Sequence, residues 1–526
     1  MEIIRSNVLI IGGGLAGMMA ALAARSSGKT VTIVSKSLVG KAGNTLVSGG
    51  GISSATDEEE NSAELFLADI MRSGKGLNNS KLAQKLTSES RFILRQLEDF
   101  GVKLIRKDGS YKKRRPPGHS VSRNIPTDWT GLSYQNRGLS FMLPLLEKLR
   151  EQNILAVSNV RILQLLKNDS QVIGAVGIDK AKKVYQFFAD GVVLATGGAG
   201  YLFSKTNNTS DITGDGLALA LSGGCRLQDM EQIQFYPTMM FDPVKAPISN
   251  PLFGAGAVLR NAAGERFMTR YDGAGDMATR DNMARAIFME IQAGSGIDGC
   301  VYMDCTGIPQ NQLKEQYRDF YQFLFKARID PTREFIKVSP CVHYSLGGIV
   351  IDEFASTGVP GLYAAGEICG GIHGANRLSG AALMEACVFG WQAGIQAASR
   401  SANPTWKIQP FAVRSPWKFD DMASAIFDEL RKKMWENVSL IRSEQGLCQI
   451  NDYIHKSVKA VADNSLLRDV LRVAETIVRS ALMRKESRGA HFRSDYPQRD
   501  TTFDGNVYCW LEADKLKFVH TNQANG

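Results

Sequence analysis

Along the first 40 residues the apolar positions form two short unbroken runs, NVLII (7–11) and TVTIVS (30–35), separated by GGGLAG (12–17) and a stretch rich in Ala and Met. An apolar run of this length next to glycines reads as a strand buried on both faces, and Met18–Ala24 reads as a helix. The period then changes. Residues 57–105, clearest in LAQKLTSESRFILRQLEDF, repeat at helical spacing, and so does Leu139–Gln152. The basic, proline-containing 107–130 reads as a loop. Strands near 154–166, 171–178 and 183–188 form a small meander, and GVVLATGGAG (191–200) is a strand running into a second glycine-rich turn. TGDGLALALSGG (213–224) is a further helix with Asp215 near its start. From Arg226 to Pro340 this rhythm gives way to polar loops and short helices. Strand signals return in CVHYSLGGIVID from 341 and in Leu362–Ala364, and beyond about 405 the chain is helical to roughly 485.

The alternation predicts an α/β fold with a discontinuous, Rossmann-like nucleotide-binding domain over 1–225 and 341–405. Residues 226–340 form an inserted α+β capping domain that reads as a lid, and 406–526 a C-terminal helical domain. In GGGLAG, the spacing assigns Gly12 to the tight turn, Gly14 to close approach of a pyrophosphate and Gly17 to helix–strand packing. The second strand lacks the acidic residue that would hold a ribose in a plain NAD site; Ser35 and Lys36 stand there instead. Gly40 to Gly51 (GKAGNTLVSGGG) suits a loop wrapping the other end of a cofactor. The stretch 361–390, GLYAAGEICGGIHGANRLSGAALMEACVFG, reads as strand, glycine-rich loop and helix, with Glu367, His373, Asn376 and Arg377 in the loop. An arginine on such a turn is suited to gripping a carboxylate through two parallel hydrogen bonds.

Composition narrows the function classes. Hydrophobic content of 44% with 22% charged residues is ordinary for a globular enzyme, and 526 residues imply two or three domains. The net charge of +9 is spread out, which excludes a nucleic-acid-binding reading; the one dense cluster, Lys112 to Arg115, reads as a solvated loop. The eight cysteines show no CxxC spacing, so neither a metal site nor an iron–sulfur cluster is expected, and they read as the reduced thiols of a cytoplasmic protein. No apolar run approaches a membrane span.

GEICGGIHGANRLSG closely resembles the flavin-contacting loop of the succinate dehydrogenase/fumarate reductase flavoprotein family, which includes L-aspartate oxidase. MWENVSLIRSEQGL and KESRGAHFRSDYPQRD resemble that family's closing segments, so the resemblance spans nearly the whole chain. It implies FAD, held by Gly12, Gly14, Ala16, Gly17, Ser35, Lys36, Asn44, Thr45, Gly49, Gly50, Thr196, Gly197, Asp215, Glu367, Arg377, Ala382 and Leu383. Asn44 stands where membrane succinate dehydrogenases carry a flavin-linked His, which implies non-covalent FAD. The family interconverts a C–C single and double bond next to a carboxylate. Hydride passes at flavin N5, and an arginine in a T-R-D-x-x-x-R motif shuttles the proton; ATRDNMARA makes that Arg280. On the residues alone, an Arg280–Asp281 ion pair at a helix start is the favoured reading. HYSLGG places His343, with Arg377, on the substrate carboxylate, and His373 behind them.

The departures from the family pattern are informative. QFYPT puts Tyr236 where a His contacts the second carboxylate. The acid and the arginine that relay protons correspond to Asn250 and Phe253, after Ser249 for Thr. Asn and Phe cannot carry that proton. Two expectations follow: a substrate whose far end is larger, less charged or aromatic, or a dicarboxylate contacted by a Tyr236 hydrogen bond with water in place of the relay. The resemblance also implies a partner, an iron–sulfur electron-transfer subunit. The alternatives are an L-aspartate oxidase and a flavoprotein subunit that only transfers electrons within a larger complex.

Overall fold

The computed structural model describes residues 1–56, 59–248, 251–401, 417, 419–461 and 464–522. The fully buried run β1 (Val8–Ile11) leads through a glycine turn into α1 (Leu15–Ser26) and back into β2 (Val31–Ser35). With β3 (Leu155–Ser158), β4 (Gly191–Leu194) and a late strand at 362–364 they make a five-stranded sheet, ordered 362–364, β4, β1, β2, β3 and parallel throughout. Such a sheet must be covered on both faces, which is why its strands are apolar without alternation.

Helix α2 (Asp215–Ser222) follows β4, and the chain then enters a second, antiparallel five-stranded sheet. Its long neighbours are β5 (Ile233–Met240) and β6 (Ile336–Ser345), with α3 (Arg280–Gln292) between them in sequence. This sheet has its own apolar core around Leu259, Phe267, Ile287 and Met303. After β6 the chain rejoins the first sheet as β7 (Leu362–Ala364) and continues into α4 (Ala381–Ala398). Helices α1 and α4 touch backbone to backbone: a Cβ on Gly390 would meet the Ala16 carbonyl oxygen at 2.5 Å, and one on Gly394 the Ala20 carbonyl oxygen at 2.2 Å. This close packing brings the N-termini of both helices to one cavity.

Two features differ from the sequence expectation. Leu155–Ser158 belongs to the parallel sheet, while the meander strands 160–168, 171–179 and 184–188 pair with Glu2–Arg5 in a separate sheet. After helices 421–438, 444–460 and 465–483, the chain ends in a hairpin, 505–512 with 515–522, that pairs with Leu227–Gln228 and through it with Gly348–Ile349. The C-terminal segment is therefore stitched to both crossings between the two large sheets. Arg484, fully buried, completes that seam by donating to Glu231 (2.6 Å), Glu486 (3.0 Å) and Asp229 (3.2 Å). Among the described residues no helix is long and apolar enough to cross a membrane.

Candidate active site

A cavity of about 570 Å³ opens at the carboxyl ends of β1, β2 and β4, roofed by residues of the antiparallel sheet and α3. Ligands of open parallel sheets bind in this place. Its floor is the turn between β1 and α1. Gly12 has φ +125°, and a Cβ there would lie 2.1 Å from the Ala195 carbonyl oxygen; a Cβ on Gly17 would lie 1.9 Å from that of Gly12. Gly14 is different: its nearest neighbour would be Thr45 Oγ1 at 3.9 Å, so it faces open cavity. Helix α1 has no side-chain cap and no acidic residue in its first turn, and α4 likewise starts uncapped at Gly380. Both helices aim free N–H groups and a positive dipole end into the cavity, which suits a pyrophosphate at one and an electron-rich oxygen at the other.

At the end of β2, Lys36 is paired with Asp215 of α2 and donates to Thr213 (3.0 Å). Burial alone would raise the Asp215 carboxyl, but Lys36 and Arg161 beside it hold it at about 2; burial lowers Lys36 in turn. Farther along, Asn44 is engaged at both ends. Its Nδ2 donates to Asn208 Oδ1 (2.7 Å) and Glu367 Oε2 (2.8 Å), and its Oδ1 accepts from the Thr209 amide (3.3 Å). Glu367 also accepts from the Ser345 amide (3.1 Å), and burial pushes its carboxyl up to about 7.

Of the residues expected to hold cofactor, Gly12, Gly14, Ala16, Ser35 and Lys36 line the cavity, as do Asn44, Thr45, Gly49, Thr196 and Gly197. Asp215, Glu367, Arg377, Ala382 and Leu383 line it too. Gly17 and Gly50 do not: Gly17 packs behind Gly12, and Gly50 (φ +69°) turns the chain behind the wall, its Cβ position 3.3 Å from the Arg137 Cβ. The uncapped helix ends and the Gly14 opening fit FAD.

The expected catalytic residues converge at the roof. His343 on β6 is fixed by the Asn207 side-chain amide, its Nδ1 lying 2.9 Å from Nδ2 and 3.2 Å from Oδ1. Burial, then the charges of Arg377 and Arg280, push the His343 imidazole far below its usual value. Both effects favour the neutral imidazole. Arg280, the first residue of α3, makes no pair with Asp281, whose carboxylate lies 3.8 Å from Arg285 instead. Arg377 donates to the Leu378 carbonyl (3.1 Å) and lies 4.6 Å over the Tyr344 ring. The Nε atoms of Arg280 and Arg377 are buried without a hydrogen-bond partner.

Tyr236 lines the cavity, and its hydroxyl donates to the Ile248 carbonyl (2.9 Å). The ring packs edge-on against His343, centroids 5.6 Å apart, and under Arg280 at 5.7 Å. Phe253, expected from the sequence at the place of a relay arginine, is 7% exposed in the apolar core of the antiparallel sheet; Ser249 and Asn250 lie outside the described residues. His373 is buried and hydrogen-bonded to Glu385 (2.8 Å), away from the cavity.

The sequence reading missed Arg137. It lines the cavity, lies 4.4 Å over Tyr134 and 5.8 Å from Trp129, and its Nε is buried and unpartnered. Burial raises the Tyr236 hydroxyl to about 12 against the opposing charges of Arg280 and Arg137, which places both arginines around that ring. Among the described residues none of Arg137, Arg280 and Arg377 forms an ion pair. Arg114 and Arg115, expected in a solvated loop, are exposed but line the cavity mouth.

Comparison with known proteins agrees with this architecture. Residues 7–383 match the FAD binding domain family, and 427–522 the fumarate reductase flavoprotein C-terminal family. The chain is 35% identical to one of the subunits of fumarate reductase (CoM/CoB) from Methanothermobacter marburgensis, over 94% of this chain and 95% of the relative. It is 34% identical to L-aspartate oxidase of Yersinia pestis, over 94% and 96%. The solved structure of Mycobacterium smegmatis Sdh1 in complex with UQ1 superposes with a TM-score of 0.85 at 32% identity, covering 99% of this chain and 94% of that one. Similarity that runs the length of both sheets and through the terminal hairpin is a property of the whole fold, and the chain belongs to the succinate dehydrogenase/fumarate reductase flavoprotein family as an FAD-dependent oxidoreductase.

Proposed function

We propose that the protein interconverts a C–C single and double bond in a small dicarboxylate, with fumarate as the simplest case. The observation that carries this is the set of three arginines without ion-pair partners, Arg137, Arg280 and Arg377, around one end of the cavity. Guanidiniums without ion-pair partners bind an anion well, and Arg137 and Arg377, each with an unmet Nε–H, together with His343 match two carboxylates, with Arg280 beside them. The sequence expectation of a less charged far end is replaced by this reading, because Arg137 supplies there the charge that Tyr236 lacks. An amino-acid substrate fits poorly. The cavity's carboxylates are engaged or at the other end: Asp215 with Lys36, Asp211 near that pair, and Glu367 with Asn44 and Ser345. None is left for an ammonium group, which separates this reading from an L-aspartate oxidase. A flavoprotein that only passes electrons would have no use for the arginines.

Bound FAD supplies the hydride chemistry. His343 and Arg377 hold one carboxylate, Arg137 the other, and Arg280 carries the proton at the neighbouring carbon. Asn44 is an amide without a nucleophilic nitrogen, so the flavin is held non-covalently. Electrons reach the flavin from a separate iron–sulfur subunit. The test is a titration of oxidised holoprotein with fumarate, crotonate and L-aspartate, followed by flavin absorbance. A charge-assisted hydrogen bond contributes about 1.5–3 kcal/mol, so Arg137→Met should weaken fumarate about 10- to 100-fold and leave crotonate unchanged. Wild-type fumarate affinity in that variant, or equal binding of L-aspartate, refutes the assignment.

A further inference from the structure

Behind the substrate end lies a second cavity of about 20 Å³, and Arg280 lines both. Its other polar walls are Gln234, Asp281, Arg285 and Asn376. Two buried polar atoms of that wall's residues have no partner: Arg280 Nε and Gln234 Oε1. Gln234 spends its Nε2 on Asn376 Oδ1 (3.0 Å) and the Arg377 carbonyl (2.8 Å), which holds its amide in a fixed orientation. A space of this size, larger than the ~10–15 Å³ one water needs and lined by these polar side chains, can hold one water molecule. Asp281 is the one carboxylate among the lining residues, and it is 24% exposed beside Arg285 at 22%, so it meets both the small cavity and solvent.

We propose that Asp281 reloads Arg280 with protons through a water held in this second cavity. The inference rests on Arg280 being the proton carrier, as read above. It answers the absence of a relay at Phe253, whose ring sits in an apolar core. In the reducing direction FAD, when bound, would supply the hydride, and the Arg280 guanidinium gives the substrate its proton. Arg280 recovers its proton from the water, the water from the Asp281 carboxyl, and Asp281 from solvent; oxidation runs the same chain outward. Charge stays balanced at every transfer. Asp281 touches no substrate in this scheme; it is a positioning residue that acts through Arg280.

The experiment compares wild type, Asp281→Asn and Asp281→Glu holoenzyme, at equal FAD content, in fumarate-dependent oxidation of reduced viologen. Asp281→Asn should lower kcat about 10- to 100-fold with KM within about twofold and raise the solvent deuterium isotope effect on kcat, and Asp281→Glu should restore most of the rate. A merely structural role would not produce that split or that rescue. A kcat within about twofold of wild type in Asp281→Asn, or no advantage of Glu over Asn, overturns the proposal. A high-resolution crystal structure of the wild type reads the same question without any substrate: an ordered water between Arg280 and Gln234 is expected, and a dry or collapsed cavity overturns the relay. If wild type fails to reduce fumarate, the substrate reading falls and the crystallographic result still decides the relay.

Discussion

Gly12→Ala and Gly14→Ala should separate folding of the nucleotide turn from contact with the cofactor. At Gly12 a methyl group meets the Ala195 carbonyl oxygen at 2.1 Å and the Thr196 amide nitrogen at 2.9 Å, both backbone, at φ +125°. Holding an L-residue in that region costs about 1–3 kcal/mol, and relieving the overlap by moving the turn a further 1–3 kcal/mol. The sum, about 2–6 kcal/mol, corresponds in a chain of 526 residues to a loss of roughly 2–6 °C in apoprotein Tm. At Gly14 the methyl has 3.9 Å to its nearest neighbour and enters the cavity. Gly14→Ala should therefore melt within about 1 °C of wild type yet bind FAD at least about tenfold more weakly, because the methyl occupies the approach to the α1 N-terminus. Thermal melts of the two apoproteins and fluorescence titration with FAD supply both numbers. A Gly12→Ala apoprotein as stable as wild type would refute the backbone-contact argument, and full FAD affinity in Gly14→Ala would refute the placement of the cofactor.

Glu367→Gln tests the electrostatics of the cofactor wall. Burial raises the Glu367 carboxyl from 4.5 to about 7, so the native state binds more protons than the unfolded chain between those values. The stability that protonation contributes is complete below about 4.5 and lost as pH rises through about 7, a cost of about 3 kcal/mol at pH 8. The amide removes that cost and gives back about 1 kcal/mol at the Asn44 contact, so the variant apoprotein should be about 2 kcal/mol more stable at pH 8, with no gain at pH 5; denaturant melts at the two pH values read this difference. Acid precipitation of the holoprotein should leave all flavin in the supernatant, and flavin retained on the pellet would contradict the role given to Asn44.

The parts legible in the sequence were those fixed by local chemistry. The β1–α1–β2 unit was readable because an apolar run, three glycines at fixed spacing and a small-residue helix each admit one local structure, and the loss of that rhythm at Arg226 marked the inserted sheet. What was illegible depends on distant pairing. The terminal hairpin pairs with residues 227–228 almost three hundred positions earlier, and no local signal announces that partner. Arg137 sits in a stretch without motif, and its place in the cavity follows from the Gly50 turn and the Tyr134 face beneath it. Tyr236 was legible as a departure but not in its consequence, since the Ile248 carbonyl that takes its proton is reached only through the fold. Arg114 and Arg115 read as solvated charges, which they are, at the mouth of the site.

The central claim, a dicarboxylate reduced with Arg280 as proton carrier, is tested most directly by anaerobic oxidation of reduced viologen with saturating fumarate. Wild type should turn over, and Arg280→Ala should lose at least about 100-fold in kcat with its FAD content unchanged. A wild-type protein fully loaded with FAD that leaves fumarate unreduced, or an Arg280→Ala variant that reduces it at the wild-type rate, would contradict the account.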